Sequence, residues 1–255
     1  MRYGFRMIEL KGDIGFLHFD DGKANAIDEG FLDRLAADVA DASRPSRPRA
    51  LVLTGRARIF SAGFALPLLV GRDRAAMRVF MNRFTDVMLA LYAAPLPVVA
   101  AVAGHALAGG CVLALSADRR VMSNRDATIG LNEVRIGIGL PIGVIEPLRA
   151  LLPGHALAGV ALEGRSFSGP DALAIGLVDE AVDPAAVQDA AVARATDLAQ
   201  LGREAYAQVK QALRQPVLAA VAATRDADME RWLDSWFSDD GQRQVGALVA
   251  KLAKR

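Results

Sequence analysis

Short apolar runs alternate with stretches of helical spacing along the first two-thirds of the chain. Met7–Leu10 and Ile14–Phe19 flank Gly12–Asp13 and predict a strand pair. Asp20–Asp28 reads as a polar loop, and Asp28 is placed to cap a helix running to Ala42, with Phe31, Leu32, Leu35, Ala36 and Val39 on one face. Ser43–Arg49 reads as a basic, proline-containing turn. Ala50–Thr54 and Val98–Val102 are continuous apolar runs of the kind found in strands buried on both faces. A loop over Gly55–Ala65 and a helix over Asp73–Tyr92 separate them. Ala108–Leu115 predicts a short buried helix, and Arg119–Met122 and Ala127–Ile129 predict short strands. Gly137–Pro141 reads as a turn. Helices follow near Gly143–Leu151 and His155–Leu162, then a break at Gly169–Pro170, a further short helix and a strand over Leu177–Val182. From Pro184 onward the pattern is almost wholly helical.

Strands separated by helices predict an α/β core over residues 1–195, and residues 196–255 read as a C-terminal helical region. The spacing alone does not choose between a spiral of repeated units and a doubly wound sheet. Ala94–Ala117 carries only His105 and Ser116 as polar side chains, a length that could cross a bilayer. Pro95, Pro97, Gly104, Gly109 and Gly110 interrupt it, so it reads as strand, turn and buried helix rather than a membrane span. The segment Met1–Asp13 has charges but no apolar core, unlike a signal peptide, so a cytoplasmic location is expected.

Composition narrows the function. Of 255 residues, 53% are hydrophobic and the net charge is +1, which excludes disorder and gives no footprint for nucleic acid. The single cysteine, Cys111, excludes a disulfide scaffold, and its apolar surroundings predict an inert buried thiol. His18, His105, His155 and Cys111 have no metal-ligand spacing. No phosphate-binding P-loop or nucleophile elbow occurs, and Gly137–Gly143 misses the dinucleotide fingerprint by one place.

Three segments carry candidate chemistry: Phe60–Leu66, Ala103–Cys111 and Gly130–Gly137. Small residues after a strand let backbone approach a ligand closely. Free N–H groups at a helix start can stabilise an oxyanion. The alternative for Gly109 and Gly110 is tight packing of a buried helix. Glu133 lies amid Ile129, Leu131, Val134 and Ile136, where a carboxylate is expected to hold its proton more tightly and to suit general-base work. Its alternatives are an ion pair with Arg135 or a plain surface charge.

Together these segments resemble the crotonase, or enoyl-CoA hydratase/isomerase, superfamily. Lys23-Ala24-Asn25-Ala26 is similar to an early N-A-L segment, Phe60–Leu66 to an F-S-A-G-x-D-L loop, Ala106–Cys111 to an A-x-G-G-G-C-E turn, and Ser166–Ala181 to a late A-x-x-x-G-L-V segment. The resemblance implies a spiral of β-β-α units, C-terminal helices that mediate a homotrimer or hexamer, and an acyl-CoA thioester substrate with no metal and no cofactor beyond its own CoA. It implies catalytic roles for Glu133 and for the N–H groups of Phe64 and Gly109. Ala24, Ala26, Ala62, Gly110 and Asn132 would contact the CoA ester.

Departures from the pattern are informative. Val112 stands where hydratases of the family carry the first of two glutamates, and Glu133 matches the second. Valine cannot activate water, whereas one carboxylate suffices to move a proton between two carbons. Ile129–Glu133, Ala108–Leu115 and Arg225–Asp228 also resemble one branch, the delta-3, delta-2-enoyl-CoA isomerases of lipid metabolism. That points to isomerisation of 3-enoyl-CoA to 2-enoyl-CoA. Hydration or another crotonase-type reaction on a CoA ester, and non-catalytic acyl-CoA binding, are the alternatives. Ala65 replaces a loop aspartate and Ala108 a glycine. Trp232 and Trp236, with Leu233, Phe237, Val245, Leu248 and Leu252, outline an apolar face expected to meet the chain's own core, a neighbouring subunit or the wall of a neighbouring acyl pocket.

Overall fold

Gly12, at φ +59°, turns the chain between β1 (Glu9–Lys11) and β2 (Ile14–His18), which pair antiparallel. The computed structural model describes residues 8–44 and 48–253. Met7, Pro45, Ser46 and Arg47 therefore lie outside the described residues, as does most of the segment weighed as a leader. Asp28 caps α1 (Glu29–Ala42) by accepting a hydrogen bond from Phe31 N at 2.8 Å, and the apolar face read from the sequence turns inward. β3 (Ala50–Thr54) and β4 (Ile59–Ser61) follow, then α2 (Leu66–Leu69) and α3 (Arg74–Tyr92), the last capped by Asp73.

The membrane-length run resolves into β5 (Val98–Val102), β6 (His105–Leu107) and α4 (Gly109–Leu115). No helix among the described residues is long and apolar enough to cross a membrane. β7 (Arg119–Ser123) and β8 (Ile129–Gly130) lead to a 3-10 turn over Glu133–Ile136 and then α5 (Ile142–Leu151). α6 (Gly154–Leu157) runs into a π turn over Ala158–Leu162. β9 (Ser166–Phe167), α7 (Gly169–Ala174) and β10 (Glu180–Val182) complete the strand-bearing part. Gly169 and Pro170 open α7 rather than precede it, because Ser168 caps the helix and proline suits its first turn. The chain ends in α8 (Val187–Ala199), α9 (Arg203–Trp236) and α10 (Asp239–Leu252).

Strand order decides between the two architectures that spacing left open. One sheet runs β1-β2-β3-β5-β7-β10 and the other β4-β6-β8-β9. Order in each sheet advances along the sequence without reversing, and each pass from β3 to β8 gives one strand to each sheet. That is a spiral; a doubly wound sheet reverses direction at a switch point. Of the second sheet the sequence reading finds only one strand, Ala127–Ile129 overlapping β8, because its strands are only two or three residues long.

The centre of the first sheet, β3 and β5, is buried on both faces. Leu51, Leu53, Val98, Ala100 and Val102 enter the main core. Ala50, Val52, Val99, Ala101 and Val121 face α8, which offers Val187, Ala191, Ala195 and Ala199. This is why β3 and β5 read as unbroken apolar runs. Alanines on α8 let helix and sheet approach closely, a use for part of the chain's alanine content.

α9 spans 34 residues and folds back across the spiral. Trp232, Leu233, Trp236 and Val245 are at most 3% exposed within their own chain, and the two indole rings stack at 5.6 Å. The apolar face of the last helices is thus covered by the chain's own core, not left for a neighbouring subunit; Leu252 remains exposed.

Candidate active site

The first wall of the site is a backbone ladder. β4 delivers Ala62–Ala65 alongside Ala24–Ile27. Ala62 N donates to Ala24 O at 3.0 Å, Ile27 N to Gly63 O at 2.8 Å, and Ala65 N to Ile27 O at 2.9 Å. In such a parallel bridge Ile27 uses both its polar groups, and the N–H of its opposite number, Phe64, points away. Phe64 N–H finds no acceptor among the described residues.

Two residues that the sequence motifs contain but to which no role was given hold this ladder. Asn25 is buried in a left-handed conformation at φ +50°, and its amide donates to Phe19 O at 2.8 Å and Phe60 O at 3.1 Å. Ser61 Oγ donates to Asn25 O at 2.7 Å and accepts from Gly63 N at 3.2 Å. The signal for Asn25 was available: asparagine tolerates positive φ better than most residues.

The second wall is the start of α4. Ala108 N donates to Gly130 O at 2.9 Å, and Val112 N donates back to Ala108 O at 3.1 Å. That bond begins the helix and leaves Gly109 N–H without an acceptor among the described residues. Gly63 sits at φ +87°, and a Cβ there would lie 3.0 Å from Gly109 N. The two loops therefore meet at Gly63 and Gly109, with the Phe64 ring next to Gly109. Ala108 takes φ +50° and ψ −124°, a conformation that glycine adopts without strain and alanine does not.

Glu133 opens the 3-10 turn after β8, and Gly137 closes that turn at φ +74°. Its Oε2 is shielded from water and has no hydrogen-bond partner among the described residues. Burial pushes its carboxyl up to about 7; a backbone hydrogen bond opposes this weakly. Arg135 does not neutralise it. That guanidinium turns away and donates to Gly164 O at 2.8 Å, which removes the ion-pair alternative. The neighbouring Asn132 Oδ1 is likewise buried without a partner. Unpaired buried oxygens are costly, and their presence marks a place where a ligand is expected.

Glu133, Asn132, Ala62, Phe64, Gly109 and Val112 all line one cavity, whose mostly apolar wall with a few polar groups is the usual form of a small-molecule site. Its remaining wall is apolar and includes Phe84, Ile138, Trp232 and Leu248. Phe64 and Phe84 meet edge to face at 4.8 Å. Trp232 and Leu248 come from α9 and α10, so the C-terminal helices complete the chain's own site. α9 is pinned there by Gly139 N donating to Ser235 Oγ at 3.0 Å and Ile142 N donating to Asp228 Oδ2 at 2.6 Å.

Gly110, Ala24 and Ala26, also expected to contact a ligand, do not line this cavity. A Cβ on Gly110 would lie 2.2 Å from Ser61 O, so this glycine serves the approach of α4 to β4. Ala24 and Ala26 lie outside the cavity, half-buried beside exposed Ala62 at its edge. Cys111 is fully buried and burial pushes its thiol up, as expected of an inert group. Among the described residues, no three His, Cys, Asp or Glu side chains gather in a metal-binding group.

Residues 9–251 match the family model for enoyl-CoA hydratase/isomerase. The chain belongs to the enoyl-CoA hydratase/isomerase family. Within this family it is 28% identical to the human mitochondrial enoyl-CoA delta isomerase 1, over 98% of this chain and 85% of that protein. It is 30% identical to a probable enoyl-CoA hydratase of Mycolicibacterium paratuberculosis, over 85% and 84% of the two chains. The crystal structure of human mitochondrial delta3-delta2-enoyl-CoA isomerase superposes with a TM-score of 0.92 at 25% identity, covering 100% of this chain and 99% of that one. An enoyl-CoA hydratase from Mycobacterium marinum superposes at 0.81 with 30% identity, covering 91% and 100%. The crotonase fold expected from the motifs is the fold of the chain.

Proposed function

We propose that this family member isomerises 3-enoyl-CoA to 2-enoyl-CoA, with Glu133 as its single base. The observation that carries the reading is the buried Oε2 of Glu133, without a partner among the described residues, in an apolar cavity whose lining also includes Phe64, Gly109 and Val112. Similarity to the human delta isomerase supports the same choice.

The thioester carbonyl accepts hydrogen bonds from the free N–H groups of Phe64 and Gly109. Ionised Glu133 takes a proton from C2, and the electron pair of that C–H bond delocalises onto the thioester oxygen. Two fixed N–H donors stabilise this charge as it develops. Protonated Glu133 then returns its proton at C4 while electrons flow back from oxygen. The double bond moves from C3–C4 to C2–C3, and no water is consumed. A carboxyl that titrates near neutrality suits both halves of this transfer. Val112 offers neither a lone pair nor a proton to hold an attacking water. Asn132 Oδ1 accepts from a donor on the substrate. Backbone at Ala24, Ala26 and Ala62 holds the nucleotide end of CoA at the solvent edge, and the substrate's CoA is the only cofactor required. The assembly is a homotrimer or hexamer, supported by exposed Val209 and Leu213 on α9 and tested by sedimentation.

The test presents 3-enoyl-CoA and 2-enoyl-CoA separately and follows conjugation and water addition. Conjugation of the first without hydration of the second is expected. Comparable hydration overturns the assignment in favour of a hydratase, and tight binding without turnover of either identifies an acyl-CoA binder.

A further inference from the structure

A second, much smaller void lies directly behind the active-site cavity, between α3, α4 and α5. Val112 and Val144 belong to the lining of both voids. Both side chains are nearly buried, at 5% and 4% exposure, so they are a partition rather than a surface. Beyond them the wall is mostly apolar, with Met88, Leu89 and Leu115. Two lining residues, Tyr92 and Ser116, carry hydroxyls, and that of Ser116 is already committed, donating to Val112 O at 3.0 Å. The second void therefore has little to offer a polar ligand and is suited to a hydrocarbon tail.

We infer that Val112 and Val144 are the specificity-determining residues that end the acyl pocket and set the longest chain the enzyme accepts. The inference rests on the proposal that the first cavity holds the acyl part of a CoA ester. Val112 then has two consequences from one side chain: it supplies no group for water activation, and its branched bulk closes the path toward Met88 and Leu89. Shortening either valine joins the two voids. The extra room admits a longer apolar tail without adding any polar contact.

The experiment compares the wild-type enzyme with Val112→Ala and Val144→Ala on straight-chain 3-enoyl-CoA esters that lengthen in steps of two carbons. kcat/KM is measured at each length, and calorimetry gives Kd for the matching saturated acyl-CoA esters. Thermal melts verify that each variant is folded. Wild-type values are expected to fall sharply at one length. In either alanine variant that fall moves to longer chains, and the ratio of kcat/KM for the first excluded ester to the last accepted one rises about tenfold or more. Adding Leu89→Phe, which refills only the second void, moves the limit back. An unchanged length profile in both alanine variants, in kcat/KM and in Kd alike, overturns the inference. If wild type turns over no 3-enoyl-CoA but its Kd profile shifts in the variants, the length limit stands and the isomerase proposal falls.

Discussion

Replacing Glu133 by glutamine isolates the cost of keeping an ionised carboxylate in the active-site cavity. Glutamine has nearly the same volume and cannot ionise. Burial raises the folded-state carboxyl to about 7 from an ordinary 4.5, so the folded protein holds the proton more tightly than the unfolded chain. Stability from this group is therefore fully present below pH 4.5 and is lost as pH rises through about 7. The full difference corresponds to about 3 kcal/mol at 1.36 kcal/mol per pH unit, an upper value because water entering the cavity reduces it. Glu133→Gln is expected to stabilise the fold by up to that amount at pH 8.5, and by much less at pH 5. In a domain of this size the gain at high pH corresponds to a rise in Tm of roughly 6–10 °C. Denaturant unfolding of both proteins across this pH range reads the difference directly. A pH-independent gain, or a loss of stability at pH 8.5, refutes the reasoning, since either shows that the carboxylate is not an unpaired buried charge.

Other substitutions test the supports of the site. Ala108→Gly relieves a positive φ and is expected to stabilise the fold by about 1 kcal/mol in thermal unfolding, with a loss contradicting the strain at this position. Asn25→Ala leaves the carbonyls of Phe19 and Phe60 without their donor. It should cost about 2–4 kcal/mol in denaturant unfolding and raise KM for the acyl-CoA ester. Gly110→Ala drives a methyl group into Ser61 O and should cost about 3 kcal/mol or yield insoluble protein; normal expression with unchanged Tm would show that α4 can withdraw from β4 freely.

Much of the architecture was legible because its long elements have unmistakable periods. α1 was found with its capping aspartate and α3 with nearly its observed bounds, and β3 and β5 as apolar runs covered on both faces. The second sheet was barely legible. Only β8 was approached, by the strand expected over Ala127–Ile129; β6 is three residues inside a small-residue segment and β9 only two, too short for any period to register. Strand order, which separates a spiral from a doubly wound sheet, is a property of pairing and has no local signature. At the site, Glu133, Phe64, Gly109 and Asn132 were named from motif and chemistry, and they do share a cavity. Trp232 and Leu248 were seen only as part of an apolar face, because nothing in a helical period says which surface will cover it. Gly110 was named for ligand contact from its place in a glycine pair; the structure adds a packing demand, because a Cβ there would lie 2.2 Å from Ser61 O.

The most direct measurement of the central claim is turnover of 3-enoyl-CoA by Glu133→Gln beside its affinity for a saturated acyl-CoA. Loss of a sole general base predicts a fall in kcat of about a thousandfold. Binding, which depends on backbone and apolar walls, should change by less than about threefold (well under 1 kcal/mol). A Glu133→Gln enzyme that isomerises at the wild-type rate would contradict the single-base account outright.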